Sequence, residues 1–283
     1  MRRLSPLLFL FLLACATTTT PSATPAATTP AATASAPAVN AGHSILNATL
    51  YVQSAAEYRA AAIGIYAAAT RALDEALADR TRVGATEETN DDPAQPPAVI
   101  VDVDETVLDN TGFEARVIQA GKTYDAATWK AWTAEGIATA IPGALEFATY
   151  AKSRGVTIFY ITNRDEDERP GTLRNLQNLG FPVTSETLLL RQNDVSDKSP
   201  RRKQVADRYR VLLVAGDDLN DFANARSASW QQRADQIEQR RTWWGTRWFM
   251  IPNPMYGSWE NAAIGTGGTP EERVQRKIQA LKP

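Results

Sequence analysis

The sequence predicts an α/β protein in which a parallel sheet is flanked by helices, and three observations lead there. Runs rich in apolar and β-branched residues recur at Ala98–Val101, Val156–Thr162 and Val211–Ala215, too continuous for strands with one wet face. Segments of helical pattern alternate with them. Each run also ends in residues able to do chemistry: Asp102 and Asp104, then Thr162-Asn163-Arg164, then Gly216-Asp217-Asp218. The C-terminal edge of a parallel sheet is where open α/β folds put their sites.

Taken in order, the chain opens with two arginines and an apolar stretch too short for a permanent membrane span. Residues 1–15 therefore read as a secretory signal peptide. Its end, Leu12-Leu13-Ala14-Cys15, resembles a bacterial lipobox, in which the cysteine carries lipid. Ordinary cleavage after Ala16 is the alternative; the lipoprotein is favoured because Cys15 is the only cysteine in the chain. Residues 16–42 are almost entirely Ala, Thr, Pro and Ser and cannot build a core. They read as an extended tether reaching roughly 80 Å at about 3.1 Å per residue.

Residues 43–283 are the expected folded domain. From Ser44 to Arg80, Tyr51, Ala55, Tyr58, Ala62 and Ile65 recur at helical steps, as one long helix or two shorter ones. A polar, proline-containing loop over 81–97 leads to the strand at Ala98–Val101. Within Lys122–Gly136, Asp125 is a plausible helix N-cap. Trp129 and Trp132 share one face there, either as core or with one ring lining a pocket. Pro142 stands at the first position of a helix running to Ser153, with Gly155 past its end. The strand at 156–162, a helix at 169–179 stopped by Gly180, a short strand at 188–190 and a helix at 199–209 follow. The strand at 211–215, a strand at 248–251 and a helix at 270–281 complete the pattern. The arginines of 227–247 read as a solvated helix face.

Composition excludes much. The formal charge of −2 offers no basic surface for nucleic acid. One histidine and one cysteine rule out Cys/His zinc sites, Ser-His-Asp triads, disulfide frameworks and phosphohistidine chemistry. His43 lies in a polar stretch and is expected to be solvated, without a catalytic part. Chemistry is left to carboxylates, lysine, hydroxyls and a metal.

The i, i+2 spacing of Asp102 and Asp104 points both side chains the same way in extended chain. Two such carboxylates share a proton or hold a cation between them. Aspartate is also a competent nucleophile toward phosphorus. In phosphoryl transfer Asp102 would attack, and Asp104 would protonate the leaving oxygen and then activate water. Thr162 would hold phosphate oxygens and Lys198 would neutralise their charge. Asp217 would join Asp102 and the Asp104 carbonyl in an all-oxygen metal site, which suits Mg²⁺.

The ordered set of Asp102-x-Asp104-x-Thr106, Thr162, Lys198 and Gly216-Asp217-Asp218 with Asp221 spans about 120 residues. It resembles the haloacid dehalogenase-like phosphohydrolases. A closer resemblance is to the class C acid phosphatases, the bacterial lipoprotein 5′-nucleotidases. It is carried by the segments 102–110, 161–164, 197–199, 216–222 and 251–260, and covers roughly residues 45–282.

That resemblance implies a core over about 97–255 of Rossmann-like, haloacid dehalogenase-like type. It implies a mostly helical cap drawn from 44–80, 114–140 and the C-terminal segment. It implies an Mg²⁺-dependent acid phosphatase acting on phosphomonoesters, with nucleoside 5′-monophosphates foremost, through an aspartyl-phosphate. Asn110, Trp129, Asn163, Arg164 and Tyr256 are the expected substrate-binding residues, with Asp218 and Asp221 behind the metal ligands. Asp218 stands where relatives often carry asparagine, and Tyr256 has core packing as its alternative. The lipid anchor at Cys15 implies a place in the bacterial cell envelope at the outer membrane, with a homodimer as the expected assembly. The same nucleophile would also serve a phosphotransferase or phosphomutase. A ligand-binding surface lipoprotein with a vestigial site is the remaining alternative.

Overall fold

The computed structural model describes residues 43–88, 92 and 94–282. The expected signal peptide, Cys15 anchor and tether lie outside the described residues. No helix among the described residues is long and apolar enough to cross a membrane.

Five parallel strands form the central sheet in the order β5-β4-β1-β6-β7. They are β1 (Pro97–Val101), β4 (Thr157–Asp165), β5 (Leu188–Arg191), β6 (Arg210–Gly216) and β7 (Trp248–Met250). The first strand lies in the middle, pairing Val99 with Ile158 of β4 on one side and with Leu213 of β6 on the other. Ala98 to Val101 are all at most 2 % exposed, so both faces are covered, as their unbroken apolar run requires. Burying each Val or Ile is worth about 1.5–3 kcal/mol.

The two faces separate by strand alternation. Val99, Val101, Ile158 and Tyr160 pack under α2 (Ala56–Ala78), α5 (Ala144–Ser153) and α6 (Arg169–Leu179). Ala98, Ile100, Phe159 and Ile161 meet α7 (Ser199–Ala206) through Val205 and Ala206. A register shift beside Ala98 and Val99 turns both Leu212 and Leu213 of β6 to the first face.

Several expectations are refined. The pattern over 44–80 is two helices, α1 (Leu46–Ser54) and α2, broken where Ala55 turns extended. The expectation that 44–80 is cap is corrected for α2: Ala62, Ala69, Ala72 and Ala76 let it lie closely on the sheet, in the main core. Pro142 is not at the first helical position; Gly143 caps α5 with φ +90°, a conformation closed to most side chains. The second strand runs on through Thr162, Asn163 and Arg164 to Asp165. The helix after Lys198 ends at Ala206 rather than Tyr209.

Residues 108–140 form an insertion above the sheet. Its base is an antiparallel pair, β2 (Leu108–Asp109) with β3 (Thr139–Ala140). It carries α3 (Thr111–Gln119) and α4 (Ala126–Glu135), the second capped by Asp125 as expected. Toward the C-terminus come α8 (Trp230–Gln239), α9 (Ser258–Ile264) and α10 (Pro270–Ala280).

Candidate active site

The site gathers where β1 and β6 end. Asp102 directly follows β1, and its backbone N–H still bonds the Ala215 carbonyl at 2.9 Å. Its carboxylate accepts from the Lys198 ammonium and, at 3.2 Å, from the Thr106 hydroxyl. Lys198 stands at the start of α7 and reaches Asp221 Oδ1 at 2.6 Å on its other side. Asp221 ends the short 3₁₀ turn Leu219–Asp221, and its Oδ2 accepts from the backbone N–H of Asp217 (3.1 Å) and Asp218 (2.9 Å). This fold-back needs Gly216: a Cβ there would lie 2.4 Å from that of Asp221.

Carboxylate outnumbers ammonium here, and burial makes that expensive. Burial pushes the Asp102 carboxyl up to about 7, against the pull of Lys198. Burial, then the charges of Asp221 and Asp102, raises Asp217 well above the ordinary carboxylate range, and only the Asn253 amide, at 2.8 Å, offsets this. Burial opposes the Lys198 ammonium, but Asp102 and Asp221 outweigh it and raise its pKa. Carboxylate oxygens of Asp102, Asp217 and Asp221 lie within 4.8 Å of one another. Lys198 and two backbone N–H groups engage the Asp221 oxygens and Lys198 and Thr106 those of Asp102, so the neighbouring Asp102 and Asp217 carboxyls share little compensating charge. An under-compensated, all-oxygen donor pair of this kind suits a hard divalent cation. A second acidic group, Asp165, Asp167 and Glu168, is tied instead by Lys130 and Arg191.

Asp104 faces the other wall. The Arg164 Nη2 lies 2.7 Å from its Oδ1, and the Asn110 amide donates to the same oxygen at 2.9 Å. The Thr162 hydroxyl donates to Oδ2 at 3.3 Å and accepts from the Arg164 N–H at 3.1 Å. Thr162 and Asn110 are wholly buried, so in this structure both hold Asp104 rather than face the cleft. Trp132 Nε1 donates to Asn110 Oδ1 at 2.9 Å. Trp129 is only partly buried, lines the cleft, and lies 5.4 Å from the Arg164 guanidinium. The two tryptophans thus take one role each. Tyr256 also lines the cleft while packing on Val52, Tyr58 and Met255. Asn163 lines it too, with its Oδ1 taken by Arg201 Nη2 at 2.7 Å. The cleft has a volume of about 740 Å³ and reaches from Asp102 and Asp104 to Tyr124, Trp129 and Tyr256.

Several residues that shape the site were not among the expected ones. Arg201 is buried and donates to the Thr162 carbonyl, pinning the end of β4. Arg202 is fully buried, pairs with Glu87, and donates to the carbonyls of Asn220 (2.8 Å) and Asp221 (3.1 Å). Arg233, expected in solvent, turns inward from α8 to the Ser258 hydroxyl (2.7 Å), which itself donates to Asp218 at 2.6 Å. The backbone N–H of Asn220, the hydroxyl and N–H of Ser258, and Arg233 outweigh burial and hold Asp218 below its usual pKa. Asp218 is thereby a brace for its loop, directed away from Asp217. No local pattern marks these arginines in the sequence, because tertiary contacts alone bury Arg201 and Arg202 and partly cover Arg233.

Comparison with known proteins gives a consistent result. The family described as HAD superfamily, subfamily IIIB (acid phosphatase) matches residues 17–259. Acid phosphatase 1 of Solanum lycopersicum is 28 % identical over 163 residues, 56 % of this chain and 57 % of that protein; the match spans little over half of the relative's length. The class C acid phosphatase from Bacillus anthracis has the same fold, with a TM-score of 0.78 and 31 % identity, over 87 % of this chain and 99 % of that one. Its structure with tungstate bound matches equally well. By sequence and by fold, this chain belongs to the subfamily IIIB acid phosphatases of the HAD superfamily, a family of phosphomonoester hydrolases.

Proposed function

We propose that this chain is an Mg²⁺-dependent acid phosphatase that hydrolyses phosphomonoesters, nucleoside 5′-monophosphates foremost, through an aspartyl-phosphate on Asp102. The observation that carries this reading is the Asp102–Lys198 contact at the floor of a cleft whose other wall holds Asp104 and a set of aromatic rings. A carboxylate beside a buried ammonium is fixed in orientation and ready for in-line attack.

Asp102 attacks phosphorus as the bond from phosphorus to the ester oxygen breaks. Asp104 gives its proton to the departing oxygen, then takes one from the water that attacks the aspartyl-phosphate and returns Asp102 and phosphate. Lys198 offsets charge on the phosphoryl oxygens, and the Thr162 hydroxyl reaches them by releasing Asp104. Asp102, Asp217 and the Asp104 backbone carbonyl would hold Mg²⁺, which would neutralise charge at the phosphoryl group when bound. The tungstate bound to the B. anthracis relative is a tetrahedral oxyanion like phosphate, which supports the reading that this fold takes a phosphoryl group.

The nucleotide preference rests on Trp129, Tyr124 and Tyr256, because stacking a base on a ring contributes ~1–3 kcal/mol and tolerates any base. Lipidation at Cys15, residence in the cell envelope and a homodimer belong to the same reading. Loss of palmitate incorporation in Cys15→Ala and sedimentation of the folded domain test these.

The enzymatic reading is tested by assaying residues 43–283 on 5′-AMP and p-nitrophenyl phosphate, with Mg²⁺ or EDTA, beside Asp102→Asn. Phosphate release that requires both the metal and Asp102 is expected. Release that survives Asp102→Asn would remove the aspartyl-phosphate, and no release from either ester would remove the phosphatase.

A further inference from the structure

Glu114 is a cleft carboxyl to which the mechanism above gives no task and, unlike Asp218, Asp221 and Glu260, it has no hydrogen-bond or ion-pair partner among the described residues. It lies on α3, is 6 % exposed, and lines the same cavity as Asp102 and Asp104. Among the described residues no hydrogen bond or ion pair reaches its side chain. Neither of its oxygens is sealed from solvent, unlike Glu105 Oε2.

We propose that Glu114 is a specificity-determining residue whose unpartnered carboxyl accepts a hydrogen bond from the leaving group, so that the chain selects phosphomonoesters carrying N–H or O–H donors beyond the ester oxygen. The proposal rests on the phosphatase reading above and adds the chemistry of the leaving group.

Comparison with the other buried glutamates supports it. Glu168 accepts from the Thr133 hydroxyl at 3.0 Å and the Asp165 N–H at 2.6 Å. Glu260 pairs with Arg273 and Lys277. These two carboxyls are satisfied, as most buried polar groups are, whereas the unpartnered oxygens of Glu88 and Glu105 are sealed and outside the cleft lining. A carboxyl withdrawn from bulk water and left without a protein partner is costly unless a ligand completes it. Burial alone pushes Glu114 up to about 7, which agrees with the lack of a neighbouring cation. In either protonation state it keeps an acceptor oxygen that a donor on the ligand can reach.

Charge favours the far end of the substrate: phosphoryl oxygens are anionic and belong with the Lys198 ammonium rather than beside a carboxyl that has no cation near it. The preceding residue, Phe113, sets its ring edge-on to Trp129, with centroids 5.0 Å apart. Glu114, Tyr124 and Trp129 line one cleft, so the carboxyl opens on the same space as the rings on which a planar group would stack. A nucleoside offers two donor sources there: the ribose hydroxyls and the N–H groups of the base. p-Nitrophenol offers none.

The experiment compares the native protein with Glu114→Leu and Glu114→Gln on 5′-AMP, 2′,3′-dideoxy-AMP and p-nitrophenyl phosphate. The Leu variant is expected to lower the ratio of kcat/KM for 5′-AMP over p-nitrophenyl phosphate at least tenfold, mainly through KM. Gln, which keeps a carbonyl acceptor, is expected to restore most of it. If the dideoxy ester loses as much as 5′-AMP, the donor is on the base; if it is indifferent to the substitution, the donor is the ribose. A native ratio in the Leu variant overturns the proposal. Adenosine binding, followed calorimetrically, reads Glu114 without turnover: at least fivefold weakening in Glu114→Leu is expected, and unchanged affinity overturns it. Native protein that binds adenosine through Glu114 yet hydrolyses no ester would defeat the phosphatase reading alone.

Discussion

The Arg164 guanidinium holds Asp104 in a fork, with Nη2 2.7 Å and Nε 3.0 Å from the same Oδ1 and Nε 3.3 Å from Oδ2. Its remaining arm, Nη1, is fixed to the Thr172 hydroxyl at 2.9 Å. The carboxyl proposed as acid and base is therefore aimed by a rigid cation rather than by its own backbone. Arg164→Lys keeps the charge and loses the fork. General acid–base catalysis contributes about 10²–10⁴-fold, so a fall in kcat of about 10²-fold is expected. The loss is expected to be several-fold larger on 5′-AMP than on p-nitrophenyl phosphate, whose departing oxygen needs its proton less. Equal losses on both esters would show that Arg164 acts elsewhere than through Asp104.

The spacing of Trp129 and Trp132 leaves their roles open in the sequence, and the structure separates them. Trp132 is buried and gives its N–H to Asn110, the partner of Asp104. Trp132→Phe keeps an aromatic ring, drops one hydrogen bond worth about 1 kcal/mol and leaves a small cavity that lowers Tm. A fall in kcat of about three- to tenfold with little change in KM is expected. Trp129→Leu is expected to raise KM for 5′-AMP by about five- to a hundredfold, the equivalent of ~1–3 kcal/mol of stacking. Steady-state kinetics of the two variants check this, and an exchange of the two patterns would contradict the assignment.

The parts legible in the sequence are those that local chemistry dictates. An apolar run such as Ala98–Val101 can only be a strand covered on both faces, and so it delivers Asp102 to a sheet edge. The same logic finds β6 and Asp217. What stays hidden depends on contacts between distant segments. In Lys198-Ser-Pro-Arg201-Arg202 the two arginines look like an ordinary solvated helix start. They are buried because the β4 end and the Asp221 turn bring carbonyls, and Glu87, within their reach. Arg233 misleads in the same way: Ser258, far along the chain, gives it a buried partner. Thr111–Gln119 escapes as a helix because Gly112 and β-branched residues weaken its local signal, and packing on α1 overrides them.

Glu114 also makes a prediction about stability. Burial raises its folded-state pKa to about 7, while the unfolded value stays near 4.5. The folded protein then binds more protons than the unfolded one across that window. Stability attributable to this group is therefore highest below pH 4.5, declines as pH rises toward 7, and stays lost above it. The shift corresponds to a penalty on the order of 3 kcal/mol at pH 8. Glu114→Gln removes it, so the variant is expected to melt higher than the native protein at pH 8 and close to it at pH 4.5. A difference in Tm that does not change with pH would argue against a buried, ionising carboxyl.

Two helical glycines should respond oppositely to the same substitution. Gly64 lies inside α2, and nothing stands within 4 Å of where its Cβ would be. Gly64→Ala is expected to stabilise by about 0.5–1 kcal/mol through lower chain entropy in the unfolded state. Gly171 lies inside α6, where an added Cβ would come within 2.2 Å of the Thr133 carbonyl oxygen of α4. Backbone cannot yield as a side-chain tip can, so Gly171→Ala is expected to destabilise by about 1–3 kcal/mol. Calorimetric Tm values check both, at roughly 2–4 °C per kcal/mol for a domain of this size. The second change should also reach the cleft, because α4 carries Trp129 and Trp132 as one rigid piece. A shift of α4 away from α6 moves the stacking ring and the Asn110 contact together, so KM for 5′-AMP should rise and kcat fall in the same variant. A Gly171→Ala protein that melts lower with both constants intact would mean that α4 adjusts locally, without moving its tryptophans.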